Sequence, residues 1–301
     1  TIEYYNKYSV DLLAAINGSP TQGFGYTTLM TNNGKMVNRG VEITLSGEII
    51  RQKDFSWNAS LLYAFNRNKV KHISVQPSLW DSRISMPTSY PMVGKPLYGI
   101  YAYKWAGLNE NGDPQVYDAE NNVTSGPARD YHALVYCGTT VPIHNASLTN
   151  VLRYKGFEFS AMLILDAGHK LRSSNIPSIN MSNGRITSTA KGIVDRWTQP
   201  GDVTDVPRLL FSNDTENFNT HRTELYRYSD LFVYDASNIR LSNISLAYRV
   251  PAHWCKKISL SGARLQFNVE NVATFAFDSK ANYDLGGKVK PNYVWGLYLN
   301  F

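Results

Sequence analysis

Cysteine is scarce: Cys137 and Cys255 are the only two in 301 residues, and their separation offers no disulfide framework. One His beside one Cys, in His253-Trp254-Cys255, cannot fill a four-ligand zinc site, so no metal is expected there. Charge is also sparse, at 18% Asp, Glu, Lys and Arg, against the usual quarter. No stretch approaches the roughly 18 uninterrupted apolar residues of a membrane-spanning helix. A mean hydropathy of −0.31 excludes a helical membrane protein, but not a barrel, whose alternate residues are polar. Catalytic signatures are missing as well: there is no Gly-x-Ser-x-Gly elbow, HExxH or Walker loop. His72, His132, His144, His169, His221 and His253 are scattered, and Asp202 with Asp205, placed in a loop, carries no weight as a glycosidase pair on sequence alone. No enzyme activity and no cofactor are expected. Lys and Arg nowhere cluster with stacking aromatics, so nucleic acid is not an expected partner. The chain begins at Thr1 with no charged-then-apolar leader, which for an exported protein implies processing or a missing amino-terminal portion.

Aromatics are abundant at 13%, with 20 Tyr. That content fits the aromatic girdles of a membrane barrel and fits a sugar-binding β-sandwich equally well. The net charge of +6 reads either as a solvated basic surface or as contact with lipopolysaccharide phosphates near an outer rim. The closing residues are more telling. Tyr293, Trp295, Leu297, Leu299 and Phe301 alternate with Val294, Gly296, Tyr298 and Asn300. A strand puts alternate side chains on opposite faces, so this one has a wholly apolar face. Chain ends usually fray into solvent, whereas an outer-membrane barrel ends on a lipid-facing strand, a closing signal read by the barrel-assembly machinery.

The same period recurs. Val41, Ile43, Leu45, Gly47 and Ile49 alternate with Glu42, Thr44, Ser46 and Glu48, and Phe55, Trp57, Ala59, Leu61, Tyr63 and Phe65 alternate with Ser56, Asn58, Ser60, Leu62, Ala64 and Asn66. Phe157, Phe159, Ala161, Leu163 and Leu165 oppose Glu158, Ser160, Met162, Ile164 and Asp166; Ala263, Leu265, Phe267 and Val269 oppose Arg264, Gln266, Asn268 and Glu270. Between Ile239/Leu241 and Ile244/Leu246 the phase slips near Ser242 and Asn243, which a bulge or the end of the lipid band would explain. Alternation alone does not separate a sandwich facing solvent from a barrel with a wet lumen. Connection length does. Strands at roughly 1–16, 38–50, 54–66, 143–154, 157–169, 237–250, 258–271 and 290–301 leave connections that run long, short, long, short, long, short, long. Barrels have short periplasmic turns at one end and long extracellular loops at the other. A compact sandwich has no reason to segregate them. The expected fold is all-β: an antiparallel transmembrane β-barrel of about eight membrane strands, with extracellular loops near 17–37, 67–142, 170–236 and 272–289 of a single domain over 1–301. Tyr98 to Trp105 would break this parity as a ninth span, so it is placed in an extracellular hairpin turned by Asn109-Glu110-Asn111-Gly112-Asp113-Pro114. That turn echoes an EF-hand loop without its helices or closing Glu. A short helix is predicted within 186–197, stopped by Pro200-Gly201.

Several stretches, in order, resemble the carboxyl-terminal part of the SusC/RagA family of TonB-dependent outer-membrane transporters of Bacteroidetes. They include Asn33-Gly34-Lys35-Met36-Val37-Asn38-Arg39-Gly40, Gly94-Lys95-Pro96, Tyr154-Lys155-Gly156-Phe157-Glu158-Phe159-Ser160, Arg196-Trp197, Val206-Pro207-Arg208, Ala236-Ser237-Asn238-Ile239-Arg240-Leu241 and the closing Phe301. Where the family often has Asp-Pro-Glu, this chain has Asn282-Tyr283-Asp284-Leu285, so that loop is expected to be remodelled. The resemblance implies a 22-stranded plugged barrel, of which this chain would be the last third, without plug or TonB-contacting segment. It also implies import of glycans or peptides, energy from TonB, and a SusD-like surface lipoprotein as lid, in a Gram-negative outer membrane rich in lipopolysaccharide.

On that reading Glu42, Thr44, Asn58, Ser60, Glu158, Asp166, Arg264, Gln266, Asn268 and Glu270 line the lumen, or merely bond wall to wall. Trp80, Tyr90, Trp105, Tyr117, Tyr131, Trp197 and Phe218 are candidates for substrate or lid contact, because aromatic faces stack on sugars and anchor interfaces. Packing within their own loops is the plainer alternative. Two other readings stay open at this point. One is a soluble carbohydrate-binding β-sandwich or adhesin; the other is a small self-closing eight-stranded barrel.

Overall fold

The computed structural model describes residues 1–17, 28–73, 81–126, 128, 130–181, 190–211, 220–285 and 290–301. Eight antiparallel strands form one sheet in chain order: β1 (Ile2–Asn17), β2 (Thr28–Arg51), β3 (Phe55–His72), β4 (His144–Tyr154), β5 (Phe157–Ala167), β6 (Asn238–Arg249), β7 (Gly262–Ala276) and β8 (Asn292–Asn300). The expected span count is met. β2 begins earlier than its alternating core suggested: residues 28–37, expected in a loop, continue the strand and pair with β1. Among the described residues β1 and β8 each have one strand partner, so the sheet is an open arc and not a self-closed eight-stranded barrel.

Register carries the two faces from strand to strand. Leu45, Leu61, Leu148, Leu163 and Leu241 stand in one cross-strand row; Trp57, Leu152, Phe159, Leu246, Phe267 and Trp295 stand in the next but one. These side chains belong to the outer face, and many stay uncovered, Leu246 at 47%, Leu265 at 51% and Trp295 at 79% exposure. An uncovered apolar surface of this extent is foreign to a water-soluble sandwich. Polar atoms on that face are tied to each other: Trp57 Nε1 donates to Asn150 Oδ1 at 3.1 Å, and Tyr63 Oη lies 2.8 Å from His144 Nδ1. Hydrocarbon offers no replacement partners, so such pairing is required there.

The phase slip in β6 is a bulge. Leu241 opposes Leu163 and Asn243 opposes Met162, which leaves Ser242 as the extra residue. The insertion lets Ile239 and Leu241 before it, and Ile244 and Leu246 after it, all face outward. Opposite, Leu241 pairs Ala273 and Asn243 pairs Glu270, with Asn271 at φ +54° inside the irregularity.

Turns between β2 and β3 and between β4 and β5 are a few residues long, and the β6–β7 connection holds only a short helix, Ala252–Lys256. All the large connections emerge at the opposite end. Their described parts fold into a rim with its own structure. Strand Gly99–Tyr103 pairs with Leu134–Thr139, and Trp105–Leu108 forms a hairpin with Pro114–Tyr117 across the expected turn. The helix predicted within 186–197 is a 3-10 turn at Lys191–Asp195, and 182–189 lie outside the described residues. A longer helix, Thr220–Arg227, had no sequence-based expectation. No described helix is long and apolar enough to cross a membrane.

Leu163→Arg on the outer face should destabilise the embedded barrel by about 2–4 kcal/mol, while Ser147→Arg on the inner face should change it little. Urea unfolding of the intact protein from lipid vesicles would check this; equal effects at both sites would contradict the assignment of faces.

Candidate functional site: the inner wall and its rim

The face opposite the apolar one is polar in register. Glu42, Ala64, Asn145, Asp166 and Asn238 form one row; Ser46, Ser60, Thr149, Met162, Asn243 and Glu270 form another; Glu48, Asn58, Val151, Ser160, Ser245 and Asn268 form a third. Pleat parity therefore puts all ten sequence-chosen lumen residues on this one face. Near the short turns, Glu158 accepts from Arg153 Nε at 2.7 Å and from Arg264 Nη2 at 3.0 Å. Gln266 Nε2 donates to Asn268 Oδ1 at 2.9 Å and Ser245 Oγ at 3.3 Å. These ties run wall to wall, and with half-exposed partners each ion pair adds little to stability. Further toward the rim, Glu42, Thr44, Leu62, Asn145, Ser147 and Asp166 line an open groove of about 310 Å³. Asp166 lies 3.8 Å from Arg240.

The rim is held by two buried clusters. Tyr101, Tyr103, Val116, Leu134 and Leu225 centre the first; Ile179, Tyr226 and Phe232 centre the second. Trp105 packs against both, donates from Nε1 to Asp205 at 2.9 Å, and lies 5.9 Å from the Tyr226 ring. Beneath them sits Arg222, with only 2% of its surface exposed. Its guanidinium donates to Asp113 Oδ1 at 3.0 Å, Asn180 Oδ1 at 2.8 Å, Ile179 O at 3.2 Å and Arg208 O at 2.7 Å. Arg208 grips the same Asp113 carboxylate at 2.9 and 3.1 Å. A buried guanidinium needs this many acceptors, since its desolvation is otherwise uncompensated. Within the Asn109–Pro114 turn the Asp113 carboxylate is thus taken up by two arginines, while Asn109 Oδ1 accepts from the Asn111 and Asp113 amides.

The loop aromatics are placed unevenly. Tyr90 is buried. Tyr117 lies under Lys104 Nζ at 4.6 Å, and Tyr131 under Arg83 at 4.7 Å. The Trp197 ring lies so close to Gly112 (φ +73°) that a Cβ there would come within 2.4 Å of it. Trp80 and Phe218 lie outside the described residues. Tyr293, Trp295, Leu297, Leu299 and Phe301 share the outer face at the β8 edge, with Phe301 92% exposed. Sequence reasoning gave no role to Arg208, which precedes the apolar Leu209-Leu210, to Arg222, whose neighbours His221, Thr223 and Glu224 give no signal of burial, or to Asp284, which accepts from Ser173 Oγ, Ser174 N and Ser174 Oγ at 2.6–3.0 Å. The loop flagged as remodelled is thereby pinned to the rim.

Burial pushes the Cys137 thiol up to about 11, so it is no nucleophile at neutral pH. Burial raises the Asp235 carboxyl too, but hydrogen bonds from Ser237 and the Lys170 ammonium outweigh it and hold the group down to about 2. Among the described residues no group of three or more His, Cys, Asp or Glu could hold a metal.

A two-faced antiparallel wall with every large connection at one end defines a section of an outer-membrane-type β-barrel. No family model matches the sequence. The chain is similar over 99% of its length, at 24% identity, to TonB-dependent receptor P3 of Formosa agariphila, and over 90%, at 23% identity, to TonB-dependent receptor SusC of Bacteroides thetaiotaomicron. It spans 30% and 26% of those relatives. The fold superposes on the solved RagAB peptide transporter with a TM-score of 0.74 at 21% identity, covering all of this chain and 33% of that one. The chain is thus similar along nearly its whole length to a part of TonB-dependent receptors that include SusC, and it shares the barrel fold of RagA, the resemblance its motifs indicated.

Asp113→Ala strands the Arg222 charge and should cost the rim about 3–5 kcal/mol. Hydrogen exchange should accelerate at 99–117 and 220–228 while the wall strands keep their protection; loss of wall protection would show that rim and wall are one unit. The Asp235 contact has a pH signature. Its folded value lies below the ordinary 3.8, so its stabilisation is complete above that value and is lost as pH falls through about 2. Exchange protection at 170–172 and 233–235 should hold from pH 7 to pH 4, and a loss near pH 6 would refute the assignment.

Proposed function

We propose that this chain is the wall and loops of the last third of an outer-membrane nutrient importer driven by TonB, with a SusD-like lipoprotein seated over the rim. The reading rests most on one observation: a largely apolar outer face is carried in register from strand to strand, its few polar groups such as Asn150 and His144 paired with neighbours, and every large connection leaves the same end. Strands of this length cross hydrocarbon, and a rim built on one side supplies a platform for a partner. The short turns then face the periplasm and the rim faces outward. The similarity to TonB-dependent receptors and to SusC supports the energy source and the lipoprotein partner, and the likeness to RagAB supports the barrel. Oligosaccharide or peptide would pass along the face carrying Glu42, Asn58, Asp166 and Glu270. The plug and the TonB-contacting segment would come from elsewhere in the longer protein, and β8 would be its closing strand, delivered by the barrel-assembly machinery. Catalysis has no place in this reading.

The intact gene product, expressed as the sole importer of its substrate, should fractionate with the outer membrane and leave it only in detergent. Its purification should bring down a lipoprotein. Alanine at both Tyr117 and Trp197 should lower uptake severalfold with the amount of assembled barrel unchanged. Recovery of the protein from aqueous buffer without detergent would end this reading.

A further inference from the structure

At the short-turn end the outer face holds a groove of about 350 Å³, walled by Phe157, Leu246, Tyr248, Leu265, Phe267 and Trp295. Its rings are locked together: Phe157 and Tyr248 lie 4.5 Å apart and Phe267 and Trp295 lie 4.2 Å apart. Such a groove is long, apolar and open to the membrane side. Directly beyond it the chain turns cationic. Lys155 stands in the β4–β5 turn, its Nζ 5.2 Å over the Tyr154 ring. The β6–β7 connection carries exposed His253, Lys256 and Lys257 and contains no Asp or Glu from Val250 to Ala263. None of the three lysines forms a salt bridge among the described residues. Glu158 faces inward to Arg153 and Arg264, and Asp54, whose backbone carbonyl accepts from the Lys155 amide, is a single acid beside these cations.

The short helix explains how these groups are held at the interface. Cys255 and Leu260 point into the protein, at 1% and 9% exposure, while Trp254 and Ile258 point out, at 55% and 68%. An outward Trp and Ile flanked by lysines is the pattern of a segment lying in the headgroup layer. Charge complementarity selects the occupant. Cations just outside an acyl-sized groove suit a phosphate attached to hydrocarbon, and a neutral or zwitterionic lipid leaves them without a net opposite charge.

We propose that this surface is a binding site for an anionic glycerophospholipid, one acyl chain lying in the Phe157–Trp295 groove and the phosphate meeting Lys155, Lys256 and Lys257. The proposal rests on the embedded orientation above, in which the short turns meet the periplasmic, phospholipid-bearing leaflet. The site would select lipid at the wall and has no part in the lumen.

The test is native mass spectrometry of the intact detergent-purified transporter, titrated with phosphatidylglycerol and phosphatidylethanolamine of identical chains. The wild-type protein should retain phosphatidylglycerol over phosphatidylethanolamine by about tenfold or more. Lys155→Ala, Lys256→Ala and Lys257→Ala combined should bring that ratio close to unity. Leu246→Trp, which fills the groove from an exposed position, should reduce retention of both lipids. Glycerol 3-phosphate should fail to compete, because it lacks the acyl chain. Equal retention of the two lipids, a preference that survives the triple substitution, displacement by glycerol 3-phosphate, or a dimer that covers the groove and carries no lipid would each overturn the proposal. The readout requires no uptake, so a failed import assay and a failed lipid site are told apart.

Discussion

Hydrocarbon supplies no hydrogen-bond partner, and the wall is organised around that one restriction. Each inner strand pairs on both sides, so its amides and carbonyls are satisfied within the sheet. Side chains obey the same rule. Asn150 is a poor residue for a lipid-facing position, yet Trp57 donates to it; His144 is held by Tyr63. The strand period then decides the rest. Once one row of leucines faces out, the alternate rows that hold Glu42, Asn58, Asp166 and Glu270 must face in. A single-residue slip would invert both faces. The bulge at Ser242 shows what is needed to keep them: an added residue, placed where β6 changes parity, restores the outward set on either side.

The rim meets a different restriction. Connections of this length cannot rely on strand pairing alone, and irregular backbone leaves carbonyls without partners. Arginine answers both needs, since one guanidinium can serve several acceptors. Arg222 gathers Asp113, Asn180 and the carbonyls of Ile179 and Arg208. Arg172 does the same for the carbonyls of Tyr101, Arg227 and Ser229, reaching 2.6 Å at Tyr101. Apart from the Arg222–Arg208 contact, these two side chains join segments more than forty residues apart in sequence. The aromatic clusters fill the space between them, and Trp105 belongs to both.

Legibility divides along the same line. The wall was readable because its determinant is local: alternation such as Phe157-Glu158-Phe159-Ser160 fixes which side chain faces where, and connection length fixes the end of each loop. Even the β6 irregularity left a trace in the phase of Ile239, Leu241, Ile244 and Leu246. Strand ends were less legible, since β2 begins at Thr28 with Thr-Leu-Met-Thr-Asn-Asn, which lacks alternation. There pairing with β1, a tertiary event, extends the strand. The rim was nearly opaque. Nothing in the spacing of Asp113, Arg208 and Arg222 announces that they meet, because their contact depends on how two long loops cross. Aromatic residues in those loops were visible as a class, but composition cannot tell Tyr90, which is buried, from Tyr283, which is 49% exposed.

Wall and rim touch without sharing a core. Every residue of the two buried clusters comes from the connections, and none from β1 to β8. The joints between them are hydrogen bonds at strand ends. Gly168 donates to Ser237 Oγ, Phe277 to the Ser237 carbonyl and Ala236 to the His169 carbonyl, which stitches the ends of β5, β6 and β7. Asn68 accepts from the Leu97 amide, and Val70 exchanges bonds with Gly94 and Lys95 at the end of β3. Energetic coupling follows shared packing, so rim clusters that take no residue from the strands are expected to respond to substitution largely independently of the wall. The arrangement lets the loops change their contact surface while the lipid-facing strands stay as they are. Loops can then vary on a wall whose chemistry is dictated by the membrane, because neither has to repack when the other does.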